Sequence, residues 1–371
     1  MIAYATTDVI GRVSLVPDGF PEANITQAMA LIRVHDPEIK PSVLFAFLTG
    51  RYGALQIKRL ARPTGQYNLN LQEVASLRIP FFSINFSGAV TQSIRTSHDL
   101  MHRCSDYHKQ SEQILLRALG LENWQPPEPL TYTRRASEAF AAGRFDAEHF
   151  QEKFYAARRH LSEVGALEFL PLASLLATLT NGHTPLHHDL SVGEVPFLCA
   201  EHVSDFVVNF ASAKRILAEH HHGELSRTAL QEGDVLLTIK GRVGNVAVVE
   251  KLPGLVNINQ DVALLRFNDR LPLWYVLSFL NSPFGKLQTE QMCTGGINPF
   301  LGLSNVRRLE IPRFAENVMV EIGEQTRNKV HEARTARRQA HTLLEAAKHA
   351  VEIAIEQSEA EALAYLKEHG V

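Results

Sequence analysis

The sequence predicts an α/β (α+β) protein with two copies of one mixed domain, each followed by a long helix. First, residues 23–34 (ANITQAMALIRV) match residues 256–267 (VNINQDVALLRF) in Asn, Ile, Gln, Ala, Leu and Arg at the same offsets. Second, a long helical pattern follows each copy. Third, 45% hydrophobic and 21% charged residues are ordinary for a globular chain, and 371 residues are enough for two or three domains.

The repeat keeps its register along most of each copy. Gly11 precedes Gly244 by 233 residues, and the same offset relates the two stretches above. After one slip the offset is 232, and the further matches are Phe47 with Phe279, Gly53 with Gly285, Leu77 with Leu309, and Pro80 with Pro312. This period is far longer than that of solenoids, so the repeat indicates domain duplication.

The second copy has clear strand and helix signals. Residues 233–250 (GDVLLTIKGRVGNVAVVE) alternate around Gly241 and Gly244, which predicts a β-hairpin. Residues 262–267 (VALLRF) predict a strand, and residues 271–282 (LPLWYVLSFLNS) have helical spacing with Pro near the first turn.

The end of the copy and its start give two further expectations. Residues 306–314 (VRRLEIPRF) predict a closing strand broken by Pro312. When the copies are aligned on their glycines, Met1 falls opposite Asp234, and nothing in the first copy matches residues 166–233. We therefore expect the first domain to lack its first part.

The two helical patterns repeat every seven residues. They predict helices over about 88–119 and 318–357 that pack on each other through small residues. The predicted contact residues are Met101, Cys104 and Leu115 on the first helix and Ala333, Ala340, Leu343, Ala347, Ala350 and Ala354 on the second. Gly120 is expected to end the first helix, and residues 123–130 are a proline-rich connector. The alternative is that each helix packs on its own domain.

These signals give five segments. In order, they are residues 1–83 (part of the first domain), 84–122 (first helix), 123–160 (linker and short helix), 161–314 (second domain) and 315–371 (second helix and acidic tail).

Charge and cysteines limit the class of protein. The net charge of -3 argues against a strongly basic nucleic-acid binder. Yet residues 234–313 carry nine Lys and Arg against six Asp and Glu, and residues 1–82 carry eight against six. The three cysteines form no C-x-x-C pair, which favours a reducing compartment, and no segment resembles a signal peptide or a membrane span. We expect a cytoplasmic protein.

Several patterns suggest catalysis or metal binding but have simpler explanations. Pro17-Asp18 with Glu38 and Lys40 resembles a PD-(D/E)xK nuclease pattern, although prolines flank Glu38. Asn298-Pro299-Phe300 resembles an adenine-methyltransferase loop without its second proline or a glycine-rich cofactor loop. Both are more simply explained as turns. Histidines are clustered without standard zinc spacing and favour surface loops; they are His183, His187, His188, His220, His221 and His222. Gly241-x-x-Gly244 fits a phosphate cradle and a plain turn equally well.

An ordered set of phrases resembles the specificity subunit of type I restriction-modification enzymes. The phrases are QILLRALGLENW, AGRFDAEHFQEKF, GDVLLTIKGRVGNVAVV, VNINQDVALLRF and LLEAAKHAVEIAIEQSEAEALAYL. The resemblance covers essentially the whole chain. It implies two target-recognition domains that each read half of a split site on double-stranded DNA. It also implies an antiparallel helix pair that sets the distance between the halves, and a shortened first target-recognition domain is the one departure.

The same resemblance implies the partners. The helices would dock modification (methyltransferase) subunits, usually two, and restriction (translocase and nuclease) subunits would join them. S-adenosylmethionine, ATP and Mg would then belong to the partner subunits, so this chain would be non-catalytic.

Candidate DNA contacts follow from the repeat. Lys240 and Arg242 flank the hairpin glycine, and Lys286 and Asn298 are expected in later loops. In the first copy Arg59, Arg62 and Gln66 are expected in the loop equivalent to that around Asn298. Each of these is also compatible with an ordinary solvated side chain. The two open hypotheses are a DNA-reading subunit and a coiled-coil scaffold or truncated remnant that no longer reads DNA.

Overall fold

The structure, a computed structural model, describes residues 2–3, 10–17, 19–64, 66–185 and 192–369, with the backbone alone at 2, 3, 62–64 and 66–68. The strands in order are β1 (Ile2–Ala3), β2 (Arg12–Val13), β3 (Met29–Ala30), β4 (Arg62–Thr64), β5 (Gln66–Asn68), β6 (Glu168–Pro171), β7 (Leu176–Asn181), β8 (Val195–Leu198), β9 (Val203–Ser204), β10 (Val207–Val208), β11 (Lys214–Ile216), β12 (Val235–Thr238), β13 (Val246–Val248), β14 (Asn257–Ile258), β15 (Val262–Phe267) and β16 (Glu310–Arg313).

Helices make up most of the remaining regular structure. In order they are α1 (Pro41–Thr49), α2 (Arg51–Leu60), α3 (Leu71–Ala75), α4 (Ile84–Ala118), α5 (Ala136–Ala142), α6 (Glu152–Glu163), α7 (Ala218–His222), α8 (Leu273–Asn281), α9 (Pro283–Met292), α10 (Leu303–Val306), α11 (Glu316–Glu356) and α12 (Glu359–Glu368). In the part of the chain that the structure describes, none of them is long and apolar enough to cross a membrane.

The chain forms two compact units. The first comprises residues 1–106 and 332–371, and the second comprises residues 107–331. Each unit contains one copy of the repeat and part of each of the long helices α4 and α11. The predicted domain boundaries at 83, 122, 160 and 314 remain a prediction.

The duplication is confirmed in the positions of the helices. Helices α1 and α8 cover the same nine positions at an offset of 232, and α2 and α9 cover the same ten. The long helices α4 and α11 begin at Ile84 and Glu316, which are also 232 residues apart. The repeat seen in the sequence is therefore a repeat of structure.

A glycine lets the second short helix of each copy fold back on the first. A Cβ on Gly285 would lie 2.3 Å from the carbonyl oxygen of Phe279, and a Cβ on Gly53 would lie 2.3 Å from that of Phe47. No side chain fits at such a distance, so only glycine permits the sharp turn between the helices. This explains why Gly53 and Gly285 match.

A reciprocal amide contact also occurs in both copies, and the sequence analysis missed it. The Gln288 side chain donates to the carbonyl of Glu310 at 2.9 Å and accepts from the Glu310 N–H at 2.8 Å. Gln56 makes the same two contacts with Arg78, at 2.9 and 3.0 Å. The second short helix is thereby tied to the segment that closes each copy.

The central sheet of the second unit is buried on both faces. Strands β13, β12, β15 and β7 pair antiparallel in that order. The predicted hairpin is confirmed by the pairing of Val235 with Val248 and of Leu237 with Val246. The inner face packs on α8 and α9 through residues such as Leu237 and Leu265. The outer face packs under residues 195–230 through Leu236, Val249 and Leu264.

The first unit has the corresponding sheet with three strands in the order β2, β1 and β3. Its pairing corrects the sequence alignment at the N-terminus. Ile2 pairs with Val13 and Ala30, as Leu237 pairs with Val246 and Ala263, so Ile2 is equivalent to Leu237. The glycine alignment that placed Met1 opposite Asp234 was therefore two residues out of register. The cause is that eight residues separate β1 from β2, whereas six lie between Thr238 and Asn245.

The long helices pair antiparallel, as predicted. In the first unit Ser93 Oγ donates to the Leu343 carbonyl at 3.1 Å, and Ser97 Oγ donates to that of Ala340 at 2.7 Å. In the second unit the Lys329 ammonium lies 5.1 Å from the centre of the Tyr107 ring. Residue numbers thus rise on one helix as they fall on the other. The predicted contact residues Cys104, Leu115, Ala333, Ala340, Leu343, Ala347 and Ala350 are buried, and Ala354 is half-buried.

Met101 was wrongly assigned to this contact, because 45% of its surface is exposed. The buried row on α4 advances in steps of four and seven through Ser93, Ser97, Cys104 and Ser111. Ile94 and Leu115, in the same row as Met101, are buried because each belongs to the hydrophobic core of its own unit, whereas Met101 belongs to neither core.

Of two residues expected to interrupt regular structure, one ends a helix and the other does not break a strand. Helix α4 ends at Ala118, and Gly120 adopts φ +66° while the Leu121 N–H bonds to the Leu116 carbonyl at 2.7 Å, as a glycine stop requires. Pro312, however, does not break the closing strand. It lies within β16 opposite Phe169, and because β16 pairs only with β6 among the described strands, its missing N–H costs no ladder bond.

Ala347→Glu should destabilise the protein by roughly 2–5 kcal/mol, because the new carboxylate would lie at a fully buried position in the first unit. Thr342→Glu, at an exposed position of the same helix, is the matched control. Chemical denaturation of both variants measures the difference. Equal unfolding midpoints would show that the helices do not pack at this position.

A buried histidine predicts acid sensitivity. Burial lowers the pKa of His221, and the charge of His222 adds to this effect. A base with a depressed pKa stabilises the fold above its unfolded pKa of about 6.5, and this stability is lost as the pH falls. When the pH is lowered from about 7.5 to 5.5, the melting temperature of His221→Gln should therefore fall less than that of the native protein. The exposed His35→Gln variant should behave like the native protein, and an identical pH dependence for His221→Gln would contradict the prediction.

Candidate nucleic-acid interface

The turn of the hairpin between β12 and β13 is fixed by one threonine. The Thr238 N–H donates to the Asn245 carbonyl at 3.0 Å, and the Thr238 hydroxyl accepts from the Asn245 N–H at 2.9 Å and donates to the Arg242 carbonyl. The Gly244 N–H donates to the Thr238 carbonyl at 2.9 Å. Lys240, Gly241 and Arg242 therefore project at the exposed end of a tightly bonded loop.

Gly244 is needed for packing as well as for the turn. Its φ is +93°, and a Cβ there would lie 2.8 Å from the Thr289 hydroxyl on α9. Gly241 has φ +72° and no neighbour within 4 Å of the position of a Cβ. The Gly241-x-x-Gly244 pattern is therefore a hairpin turn that α9 approaches closely.

Lys286 was predicted to lie in a loop, but it lies on α9 and holds the hairpin turn. Its ammonium is 2.7 Å from Asp205 Oδ1, 2.7 Å from the Gly244 carbonyl and 3.3 Å from Asn245 Oδ1. All three contacts are internal to the second unit. Lys286 is thus a structural cation that positions the turn.

A second loop, residues 294–300, lies beside this turn. Thr294 and Phe300 exchange backbone bonds of 2.9 and 2.8 Å, and the Leu301 N–H donates to the Ile239 carbonyl at 3.0 Å. The Lys240 ammonium lies 5.3 Å from the centre of the Phe300 ring, at cation–π distance. These contacts bring the predicted residues Lys240 and Asn298 onto neighbouring loops.

The base of the second loop is anchored at the end of α9. The last carbonyls of a helix have no partner within the helix. Here Arg144 donates to the carbonyls of Gln291 and Cys293, at 3.3 and 3.0 Å, and Asn305 donates to that of Met292 at 2.8 Å. The buried His149 contacts the Gln291 carbonyl through Nδ1 at 2.8 Å. The sequence analysis missed these positioning residues. The AGRFDAEHF phrase contains Arg144 and His149, but nothing in it indicates what they touch.

We call residues 239–245 and 294–300 together the two-loop surface. Lys240, Arg242 and Asn298 are exposed, and 98% of Ile297 is exposed. Neither stretch contains an acidic residue, so the surface presents two cations, an amide and apolar side chains. This combination suits phosphates and base edges. A guanidinium or amide group can form two hydrogen bonds with one base, and apolar groups can contact thymine methyl groups.

The first copy has a counterpart of the second loop. Strands β4 and β5 form a small hairpin in which Arg62 pairs with Asn68, the same pairing as Thr294 with Phe300 at an offset of 232. Arg62 and Gln66 thus lie on this hairpin, and their side chains are outside the described part. Arg59 was wrongly placed in the loop, because it lies in the last turn of α2, where it is exposed.

The catalytic and metal patterns are not assembled by the described residues. Glu38 is exposed in a turn before α1, and Lys40 only reaches the Pro37 carbonyl at 3.4 Å; Asp18 lies outside the described residues. Asn298-Pro299 lies in the second loop, which agrees with a turn.

The histidines also have other partners. Both His183 and His220 contact Glu224, at 3.2 and 2.8 Å, which lowers the pKa of that carboxyl group, while His187 and His188 lie outside the described residues. Cys199, Glu201 and His202 lie close together, but His202 Nδ1 accepts from the Cys199 N–H at 2.8 Å and Nε2 contacts the Ser212 carbonyl at 3.1 Å. With both ring nitrogens engaged, a metal would have to break a structural bond.

Lys286→Met should loosen the hairpin turn, because it keeps the side-chain stem but leaves Asp205 and the Gly244 carbonyl without their cation. We expect a loss of about 1–2 kcal/mol at this half-exposed site and faster tryptic cleavage after Arg242. Lys251→Met, at an exposed position beyond β13, is the control. Unchanged cleavage and unfolding in Lys286→Met would show that this ammonium does not hold the turn.

No protein-family model and no curated protein matches the chain. The S subunit of a type I restriction-modification system from M. genitalium is 14% identical, over 90% of this chain and 74% of that chain, with a TM-score of 0.46. The HsdS subunit from Thermoanaerobacter tengcongensis is 14% identical, over 88% and 73%, with a TM-score of 0.36. A chain from a structure of type I R-M complex assembly and conformational transition is 13% identical, over 99% and 80%, with a TM-score of 0.35. This chain is similar to those proteins at low identity and TM-score.

Proposed function

We propose that the protein is the DNA-reading specificity subunit of a type I restriction-modification enzyme. The observation that carries the proposal is the two-loop surface, which exposes Lys240, Arg242 and Asn298 without a carboxylate in either loop. The duplicated domain and the antiparallel pair of long helices, α4 and α11, support the same function, because the resemblance in sequence implies both.

The chemistry of the surface suits double-stranded DNA. Lys240 and Arg242 can neutralise phosphates, and an arginine can also bond the O6 and N7 atoms of guanine in the major groove. Asn298 can bond adenine through its amide, and Ile297 can contact a thymine methyl group. The Phe300 ring beneath Lys240 restricts the cation, so less side-chain freedom is lost when it binds.

A split DNA site is the arrangement that the duplication favours. The two copies share the two short helices (α1 with α2, and α8 with α9) and the reciprocal amide contact. They also share the small hairpin that follows the second short helix. We propose that each copy reads one half-site, with α4 and α11 setting the separation. A helix of 35 residues such as α4 is roughly 50 Å long, comparable with the 34–36 Å turn of B-DNA.

The partners and cofactors in this proposal come from the resemblance. Modification subunits would bind the α4–α11 pair and supply the S-adenosylmethionine chemistry, and restriction subunits would supply ATP-driven translocation and Mg-dependent cleavage. The chain itself would be non-catalytic and cytoplasmic.

A scaffold without productive DNA reading is the second candidate function. The observation that favours it is that Val16, Ile25 and Leu31, beside the strands of the first sheet, are exposed. Under this alternative the helix pair still assembles with modification subunits, but the two-loop surface contributes nothing to affinity for DNA.

Charge removal on the two-loop surface distinguishes the two functions. Lys240→Gln with Arg242→Gln should weaken binding of a random-sequence duplex pool by the complex with modification subunits, and should reduce the slope of log affinity against log salt by about 1–2. Gln removes both charges and keeps a polar, although shorter, side chain at each position.

Lys251→Gln is the matched control, because Lys251 is an exposed lysine at the other end of the same hairpin. It should leave both the affinity and the salt slope unchanged. If the double variant binds as tightly as the native chain at every salt concentration, the two-loop surface is not the DNA interface and the scaffold is favoured. Arg12→Gln in the first copy should have the smaller effect.

A further inference from the structure

Three apolar side chains beside the strands of the first sheet are exposed, and we call them together with Asn24 the outer face of the first copy. Val16, Ile25 and Leu31 are 47%, 41% and 44% exposed. The inner face of the same sheet is covered, since Val13 and Ile32 pack against the cluster that contains α1. The exposure is therefore one-sided, and exposed apolar patches commonly mark interaction sites.

The second copy contains the same three residues and buries them. Val249, Ile258 and Leu264 lie 233 residues further on, are identical in type, and are exposed by only 1%, 0% and 0%. Their cover is provided by the upstream segment of the second domain, including Leu198, Val203 and Leu230. The duplication thus shows directly what kind of chain fits on this face.

Strand pairing differs between the copies in the same way. In the second copy β7 pairs with the free edge of β15, and β8 pairs parallel with β14 through Phe197 opposite Asn257 and Leu198 opposite Ile258. In the first copy β3 is an edge strand, and Asn24 and Ile25 belong to no strand of the described sheet. Among the described residues, no strand occupies either of these two positions in the first copy.

Polar contacts repeat the pattern. In the second copy Asn257 is fully buried, and it bonds Thr228 at 2.6 Å and the Leu225 carbonyl at 2.9 Å. The backbone carbonyls of Val249 and Val256 accept from Gly233 and Leu230. The equivalent of Asn257 in the first copy is Asn24, which has the same side chain but is exposed.

We propose that this face of the first copy binds a polypeptide segment of the same make-up as residues 176–230. The segment adds one strand beside β3 and one parallel strand beside residues 24–25, and it covers Val16, Ile25 and Leu31. The protein's own residues 176–230 are already seated on the second copy, so they do not serve as the occupant. The inference does not depend on the proposed DNA reading.

The experiment supplies a covering layer to the first copy within the whole protein. Residues 166–235 are co-expressed as a separate polypeptide with the intact protein, and in a second protein they are joined directly to Met1, which continues the register because Ile2 is equivalent to Leu237. Hydrogen exchange is measured over residues 12–34. We expect a one-to-one complex in the first case and at least about tenfold slower exchange in both.

Matched variants test the exposed face itself. Ile25→Asp with Leu31→Asp in the intact chain should abolish the complex and the protection, while leaving the unfolding midpoint of the unliganded protein unchanged because both positions are exposed. His35→Asp, at a nearby exposed position, should preserve both.

Two results would overturn the inference. Unprotected residues 12–34 in both proteins would show that the face does not accept this layer. Dimerisation of the intact chain that is lost in Ile25→Asp with Leu31→Asp would show that a second copy of this chain occupies the face.

Discussion

The fold-back of α9 on α8, which Gly285 permits, is the contact on which the rest of the second domain depends. With a Cβ 2.3 Å from the Phe279 carbonyl the two helices would separate, and every contact made by α9 would move with it. Lys286 on this helix holds the hairpin turn, Gln288 holds the closing strand, and the last carbonyls of the helix anchor the second loop through Arg144, His149 and Asn305. One short helix therefore sets the positions of both loops of the two-loop surface.

The charges of the second domain fall into two classes with different physical roles. Cations that hold the structure have partners, as Lys286 has Asp205, and Arg266 is bonded to the buried Asp234 at 2.7 Å. Lys240 and Arg242 instead project from a loop without acidic residues, and Lys240 contacts an aromatic ring. A cation whose charge is not neutralised by a carboxylate can exchange its counterions for phosphates, which is the physical basis of salt-dependent DNA binding.

The comparison of the two copies is informative because the same residues meet different surroundings. Val16 and Val249, Ile25 and Ile258, and Leu31 and Leu264 have identical side chains, so their difference in burial reflects only whether a covering layer is present. The inner face is covered in both copies by the two short helices that follow the sheet, α1 with α2 in the first copy and α8 with α9 in the second. The outer face depends on a segment distant in sequence, and this is why it differs between them.

The sequence by itself determined the duplication, the hairpin, the long helices and their packing on each other. The duplication is visible as identical residues at a nearly constant offset, and the other features depend on local periodicity, on glycine at a positive φ, or on small residues repeated along a helix. Tertiary structure decided what no local pattern encodes. In the tertiary structure Lys286 lies on a helix that packs against the turn, and Met101 lies outside the helix contact. Strand pairing makes Ile2 equivalent to Leu237, and Pro312 lies within an edge strand. Tertiary structure also brings Lys240 against the loop of Asn298, through contacts between residues about sixty positions apart in the chain. Such contacts depend on how the helices and strands pack and not on the neighbouring residues in the sequence.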